Sequence, residues 1–559
     1  MTIRTGDSDE LRKERGAFFT PPAIAEYLAR WAVLDQADAK IMDPTCGEAV
    51  FLLEAGKQLK DLGRDAAEIG EQLFGFDLHV TSLEWASKLL EEDELDATLK
   101  QADFFSVATP DQLASPVPWM DAIIGNPPFV RYQRHIGEVR DRSKQAALRQ
   151  GVRLSNLASS WAALLVHACG FLKPEGRLAM VLPAELLTVA YAEAVRNWLK
   201  QRFGQVHLVM FDRLQFNDAI EKIVLVLASG EGGCDAFSLY YLDDAADLAQ
   251  VRPMSNHAAP VLDGGKWTHL FLSNKQRTLF HQVSTDGFST LGDYGSPELG
   301  IVTGGNSFFT LNEATRVKYG LSEEAGQVVK VCPPGTKHLK GLSFSLAAWK
   351  LLRDAGERVW LFRPDATDTS PAVMAYVAEG KRLEVDGAYK CSIRTPWWRP
   401  PIVTPPDLFF TYMSHRYPRL IANTAKTIFV NSMHGLCLKP GVPRDSRDAL
   451  PLLAFNSVTM LGAEVRGRSY GGGILKMEPR EAAALPVPTF DALQAAWTLL
   501  KPQRATLERT LQRGEWTNVV KIVDDALMIR TLGLSRDQVV ELHDGARSLR
   551  ARRMGKGAD

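Results

Sequence analysis

The sequence predicts an α/β protein, with a mostly parallel sheet covered by helices on both faces and a second domain of mixed α/β character behind it. Three observations predict this. The first half alternates strand-like apolar runs with stretches whose apolar residues recur at the helical period. From about Leu270 onward, Gly, Pro and aromatic residues interrupt every apolar run, as in GIVTGGNSFF and RTPWWRPPIVTPPDLFF. At 559 residues, the chain is also longer than a single core usually grows.

In chain order, the strand candidates are Lys40–Met42, Leu73–Phe76, Ala122–Ile124, Leu178–Leu182, Val206–Phe211 and Ile223–Ala228. Amphipathic stretches such as Ile24–Val33 and Val50–Leu59 supply covering helices. Alternating units of this kind call for parallel strands. The last two runs are too close for a full crossover, so an antiparallel strand suits that spacing. After the Gly-rich Ser229–Gly233, a short strand at Phe237–Tyr241 continues the first sheet. The Asp-rich Asp243–Asp247 and the broken stretch around Pro253–Pro260 read as a linker. The tail from about Asp491 is helical by composition and ends in Arg547, Arg550, Arg552 and Arg553.

Composition sets limits on function. Hydrophobic residues make up 45% and charged residues 23%, which excludes a mostly disordered chain. Lys and Arg (65) nearly cancel Asp and Glu (66), so a uniformly basic coat protein is excluded while a local basic groove is not. The six cysteines form no C-x-x-C pair, which argues against a zinc module and suits a reducing cytoplasm. The polar N-terminus and the lack of any run of about twenty apolar residues point to an intracellular protein with no membrane span.

The most informative residues are Asn126-Pro127-Pro128-Phe129, directly after the strand-like MDAIIG. Doubly wound sheets bind ligands at the carboxyl ends of their strands. Two consecutive prolines fix φ and remove two N–H donors. The rim then offers an amide oxygen, a proline carbonyl and an aromatic face, which suits a planar substrate carrying an exocyclic amine. The plain alternative is a strand-ending turn with a core Phe. A second signal is Asp43-Pro44-Thr45-Cys46-Gly47-Glu48-Ala49 between a strand and a helix, where a Gly turn lets a cofactor approach the backbone. Ala49 stands where a second Gly is expected. Asp77 ends the next strand, placed for ribose hydroxyls or simply for a helix cap. Asp103-Phe104 adds a further carboxylate and aromatic ring.

In this order, the motifs resemble the TaqI-like gamma class of adenine-N6 DNA methyltransferases of restriction–modification type. Gly16 to Pro22, with Phe18, Thr20 and Pro21, resemble the family's N-terminal motif at the methionine end of S-adenosylmethionine. Asp43, Pro44, Cys46 and Gly47 resemble its cofactor loop, Asp77 its ribose ligand, and Asp103 with Phe104 its adenine-binding pair. Asn126 to Phe129 match the catalytic tetrapeptide, with Phe in place of the more frequent Tyr. Phe216 resembles the later aromatic that packs with Phe129 on the extruded base. The resemblance implies a Rossmann-like S-adenosylmethionine-dependent methyltransferase domain over 1–245. It implies a mixed α/β target-recognition domain over 246–490 and a helical C-terminal segment over 491–559. The implied partners are double-stranded DNA and a separate restriction endonuclease, with no metal.

The chemistry fits that resemblance. Acceptors from Asn126 and the Pro127 carbonyl would favour charge build-up on a weakly nucleophilic amine. A target base must leave the duplex at a cost of a few kcal/mol, and stacking on aromatic rings returns about 1–3 kcal/mol per base. For holding DNA, 390–426 carries Lys390, Arg394, Arg399, Arg416, Arg419 and Lys426 against one acid, Asp407, with Trp397, Trp398, Phe409, Phe410, Tyr412 and Tyr417 interleaved. The alternative is a core of aromatics under a solvated basic face. Arg466 and Arg468 beside Gly471-Gly472-Gly473 are further candidates, as is the Thr303–Asn306 turn. Rival functions are methylation of RNA or of a protein glutamine, a fused restriction–modification enzyme using Asp365 with Glu379 and Lys381, and a DNA-binding module without catalysis.

Overall fold

The computed structural model describes residues 20–130, 136–211, 223–242, 244–251, 258–260, 266–470 and 473–554. The chain divides into two compact units, 1–270 and 271–559.

The first unit is built on a nine-stranded sheet in the order β3-β2-β1-β4-β5-β7-β6-β8-β9. Its strands are β1 (Ile41–Asp43), β2 (Leu73–Asp77), β3 (Thr98–Gln101), β4 (Met120–Gly125), β5 (Leu172–Pro183), β6 (Phe203–Phe211), β7 (Ile223–Glu231), β8 (Ala236–Leu242) and β9 (Ala258–Pro260). β1, β2, β3, β4 and β5 pair in parallel, and β7 lies antiparallel between β5 and β6. The expected antiparallel strand is thus present, and β8 continues the sheet parallel to β6. Sequence reasoning missed β3. This strand carries Thr, Lys and Gln around the single aliphatic Leu99 and is only half-buried, so it leaves no apolar run to read. The central strands behave oppositely. Every residue of β7 from Ile223 to Ala228 is buried, as expected of a strand covered on both faces.

The helix Pro22–Val33 begins with a proline at its first turn, where the missing N–H costs nothing, and buries Ile24, Leu28, Trp31 and Ala32. Val50–Asp61 buries Phe51, Leu52 and Leu59 in the same core. Each such aliphatic side chain contributes about 1.5–3 kcal/mol on burial. Leu248, just beyond the expected division at 245, still packs in this core beside Ala245.

The second unit contains a five-stranded sheet in the order Gly295–Leu299, His434–Leu438, Leu408–Phe410, Leu420–Asn423 and Ser343–Phe344. All of its pairs are antiparallel except the last. Smaller sheets join Thr310–Leu311, Trp360–Phe362 and Val328–Lys330, and also Met413–Ser414, Ile474–Lys476 and Arg468–Tyr470. The helices Phe490–Leu500, Trp516–Asp524 and Arg536–Met554 share one core with sheet residues, through Leu493, Trp497, Val519, Leu542 and Leu549. Among the described residues, no helix is long and apolar enough to cross a membrane.

Candidate active site

The carboxyl ends of β1, β2 and β4 bring three of the sequence motifs together. β1 ends at Asp43, which is fully buried; its Oδ1 accepts the Thr45 N–H at 3.0 Å, and its Oδ2 has no partner among the described residues. The buried Thr45 hydroxyl has none either. Burial pushes the Asp43 carboxyl up to about 8; the Thr45 N–H opposes this and the neighbouring Asp77 charge adds to it. Gly125 at the end of β4 makes room for this carboxylate. A Cβ on Gly125 would stand 2.7 Å from Asp43 Oδ1, and its φ of 152° is one that only glycine adopts comfortably.

The loop after β1 turns sharply. The Cys46 N–H donates to the Phe76 carbonyl at 2.8 Å, tying the loop to β2. Gly47 has φ 52°, and its N–H donates to Asp77 Oδ2 at 3.1 Å. Asp77 Oδ1 accepts the His79 N–H at 2.8 Å. Ala49, the departure noted in the sequence, takes the left-handed conformation (φ 61°, ψ 27°) as N-cap of Val50–Asp61 and is fully buried. The loop therefore keeps the turn a glycine would make and bears the strain of a Cβ there.

Asn126 follows Gly125. Its Nδ2 donates to the Thr20 hydroxyl at 3.3 Å, and its Oδ1 is buried without a partner among the described residues. Pro127 is buried and Phe129 packs on the sheet's core. The Pro128 carbonyl accepts a hydrogen bond from Ser160 Oγ. Pro21 caps the first helix, its carbonyl accepting the Ile24 and Ala25 N–H groups.

Asp103 and Phe104 are placed differently. Asp103 Oδ1 accepts the Phe105 N–H at 3.1 Å, and Oδ2 pairs with Arg142 at 3.0 Å. The Phe104 ring lies within an aromatic cluster with Phe76, His167 and Phe171, at centroid distances of 5.5, 5.1 and 5.2 Å. Burial lowers His167 to about 4, and its Nε2 lies 3.1 Å from the Phe104 carbonyl, to which the neutral ring donates. Phe18 and Phe216 lie outside the described residues. Sequence reasoning missed Arg142 and Ser160, because each acts through a contact far along the chain.

The basic candidates of the second unit are largely engaged. Arg394 donates to the carbonyls of Thr303 at 2.6 Å and Val302 at 2.5 Å. Arg399 donates to the Pro364 carbonyl and pairs with Asp365 at 3.3 Å. Arg468 pairs with Glu481 at 2.6 Å. Arg416 is exposed and lies 5.0 Å over the Trp516 ring, and Arg466 is exposed. Phe409 and Phe410 are core residues, and Trp397 and Trp398 pack on the core, their indole N–H groups without partners among the described residues. Wedging between bases is therefore not what Phe409 and Phe410 are built for. Asn306 bonds Thr303 and Asn431, so the turn is tied internally. Of the tail arginines, Arg553 forms a buried pair with Glu464, both guanidinium contacts at 2.8 Å. Arg550 faces Tyr417 and Trp516.

A parallel sheet with one inserted antiparallel strand, bearing an Asn-Pro-Pro-Phe rim beside a glycine turn and two strand-end carboxylates, defines a Rossmann-like methyltransferase. Residues 7–245 match the N-6 DNA Methylase family, and residues 264–528 match the family described as Type II methyltransferase M.Eco57I, C-terminal domain. Residues 7–245 thus carry an N6-adenine DNA methylase domain. It is 22% identical over 486 residues to Type II methyltransferase M.AccI of Acinetobacter calcoaceticus, covering 84% of this chain and 85% of that one. It is 24% identical over 495 residues to Type II methyltransferase M.XamI of Xanthomonas campestris pv. amaranthicola, covering 86% of each. Among solved structures, the Type IIL restriction–modification enzyme MmeI in complex with DNA shares the fold, with a TM-score of 0.51 over 97% of this chain and 80% of that chain at 12% identity.

Proposed function

We propose that the chain methylates N6 of an adenine flipped out of duplex DNA at a defined sequence, as the modification enzyme of a restriction–modification system in the cytoplasm. One observation carries the assignment to the rim. The buried Asn126 Oδ1 has no partner among the described residues while its Nδ2 is held by Thr20, so the amide presents an acceptor at the carboxyl end of β4. That acceptor takes one N–H of the target amine, and the Pro127 carbonyl takes the other. Held in this way, the amine lone pair is drawn out of the ring and aimed. Phe129 offers the stacking face, with Phe216 as the second aromatic.

The residues present fit S-adenosylmethionine, because Asp43 Oδ2 and the Thr45 hydroxyl are buried polar atoms with no partner among the described residues beside the Gly47 turn. When bound, the cofactor supplies an electrophilic methyl group. Phe18, Thr20, Pro21, Asp43, Pro44, Cys46 and Gly47 surround it on this reading, Asp77 takes the ribose and Asp103 with Phe104 the adenine. Asp103 then shares its carboxylate between that base and Arg142. In the second unit, Arg416 and Arg466 serve as phosphate contacts, with Arg394, Arg399 and Arg468 supporting the surface beneath. Cutting falls to a separate endonuclease. In support of that, Asp365 pairs with Arg399 and Glu379 with Arg382, so neither acid is held ready for a metal.

The test is to express the chain in a host lacking DNA methylation and to sequence its DNA with detection of modified bases. A single recurring sequence bearing N6-methyladenine is the expected result. Methylcytosine would correct the base, and methylated RNA or protein without modified DNA would overturn the reading.

A further inference from the structure

The rim is a loop, and an irregular loop holds an amine to within a fraction of an ångström only if something fixes its backbone. The prolines fix the chain up to Pro128, but not Phe129 or the chain after it. Ser160 supplies what is missing. It is the first residue of the helix Ser160–Ala168 and is only 4% exposed. Its hydroxyl donates to the Pro128 carbonyl at 2.5 Å and accepts the Val130 N–H at 3.0 Å. Its own N–H donates to the Val130 carbonyl at 3.0 Å. Three hydrogen bonds from one residue therefore bracket Phe129, one before it and two after it.

We infer that Ser160 is a positioning residue for methyl transfer. It staples the backbone on both sides of Phe129, so that the aromatic face and the Asn126 and Pro127 acceptors stay in register with the flipped base. Serine is the side chain this task needs, because a hydroxyl can donate to one backbone group and accept from another at once. Alanine would leave a carbonyl and an N–H unpaired in a part-buried place, and the loop would relax to recover those bonds elsewhere. Ser160 contacts neither the Asp43–Gly47 turn nor Asp77 in any hydrogen bond described above, so cofactor binding is predicted to be insensitive to it.

The inference rests on the methyl-transfer reading, and the test keeps the two apart. Ser160→Ala and Ser160→Thr are compared with the wild-type chain in three measurements: single-turnover methylation of duplex DNA, calorimetric binding of S-adenosylmethionine, and fluorescence of 2-aminopurine placed at the target position. For Ser160→Ala, the transfer rate is expected to fall between about ten- and a hundredfold, the cost of a misplaced reacting group. Cofactor affinity should stay within about twofold, below the tenfold that a loss of 1.4 kcal/mol produces. The 2-aminopurine signal should rise as stacking on Phe129 loosens, and Ser160→Thr should restore both rate and signal by restoring the hydroxyl. A wild-type rate and signal in Ser160→Ala would overturn the staple while leaving the methyl-transfer reading intact. Parallel loss of rate, cofactor affinity and thermal stability, not restored by Thr, would reduce Ser160 to a fold-supporting residue. A wild-type chain that binds cofactor yet transfers no methyl to DNA would overturn the reading of the rim and, with it, this role.

Discussion

The carboxyl edge of the first sheet and the basic, aromatic stretch of 390–426 draw attention in the sequence for the same reason, a concentration of groups able to bind a ligand. The structure treats their polar atoms oppositely. At the sheet edge, Asn126 Oδ1, Asp43 Oδ2 and the Thr45 hydroxyl are buried and have no partner among the described residues. In 390–426, Arg394 is committed to two carbonyls and Arg399 to a carbonyl and a carboxylate, while Phe409 and Phe410 are core. Among the buried side-chain atoms of 390–426, the indole N–H groups of Trp397 and Trp398 have no partner among the described residues. Leaving a buried polar atom unpaired costs about 1–3 kcal/mol. On the proposed reading, the three atoms at the carboxyl ends of β1 and β4 are left for cofactor and substrate. Residue type raises a candidate, and the state of its hydrogen bonds sharpens it.

The largest predicted effect tests the structural side of this contrast. Arg553→Ala should destabilise the chain by about 3–5 kcal/mol, because Glu464 would be left as an uncompensated buried carboxylate. Urea unfolding would show this as a lowered midpoint, with cofactor affinity preserved. A small loss of stability together with weaker DNA binding would move Arg553 to the functional side. The next effect tests the rim. Asn126→Ala should lower methyl transfer by about a hundred- to a thousandfold, the usual cost of removing one preorganised polar contact to a reacting group. Calorimetry should find S-adenosylmethionine binding nearly intact. Equal loss of affinity and rate would mean that Asn126 serves the cofactor.

Asp43 gives the contrast a pH signature. Its folded carboxyl stands at about 8, against an ordinary value of 3.8, so the folded state holds a proton that the unfolded chain has released. Stability from this group is complete below pH 4, declines as pH climbs towards 8, and does not change further above that. Asp43→Asn has no such proton to lose. The difference in unfolding free energy between wild type and Asp43→Asn should therefore shift in favour of the variant across pH 4–8. A difference that stays flat would mean that water or a neighbouring group satisfies Asp43 Oδ2.

The sequence made the sheet and its edge readable wherever local chemistry and local structure coincide. β4 is a largely apolar run ending in Gly125, and Asn126, Pro127 and Pro128 follow at once, a pattern that describes a buried strand leading into a stiff loop. Asp43, Gly47 and Asp77 were legible for the same reason, since each sits at a strand end or turn of its own making. β3 was not, because Thr98, Lys100 and Gln101 leave Leu99 as its single aliphatic residue in a strand only half-buried at the sheet margin. Ser160 was invisible as more than a helix-start signal, since its partners are some thirty residues earlier. For the arginines of the second unit, composition reports charge and is silent on pairing. Arg394 and Arg399 are as basic as Arg416, and only the fold separates them.

Asp77 tests a milder form of the same idea, since both of its oxygens already hold backbone N–H groups, of Gly47 and His79. A carboxylate has room for further donors, so Asp77→Ala should weaken S-adenosylmethionine binding by about tenfold, or 1.4 kcal/mol, with less effect on the transfer rate at saturation. Unchanged affinity would confine Asp77 to holding the turn.

The smallest effect is read in salt dependence, and it separates arginines that support from arginines that touch DNA. Each phosphate neutralised by a side chain releases condensed counterions and adds about 0.9 to the slope of log affinity against log salt. Arg416 is exposed, with its guanidinium over Trp516, which leaves its N–H edge available while the ring restrains the side chain. Arg416→Ala should therefore lower the slope by about one and weaken specific and nonspecific duplexes alike. Arg394→Ala removes the two bonds that hold the Val302 and Thr303 carbonyls and should lower stability with no change in slope. Fluorescence anisotropy across a salt series, read beside urea midpoints for the same variants, distinguishes the two. A slope lowered by Arg394→Ala and untouched by Arg416→Ala would reverse the assignment. It would also show that an arginine bonded to its own backbone can still reach phosphate.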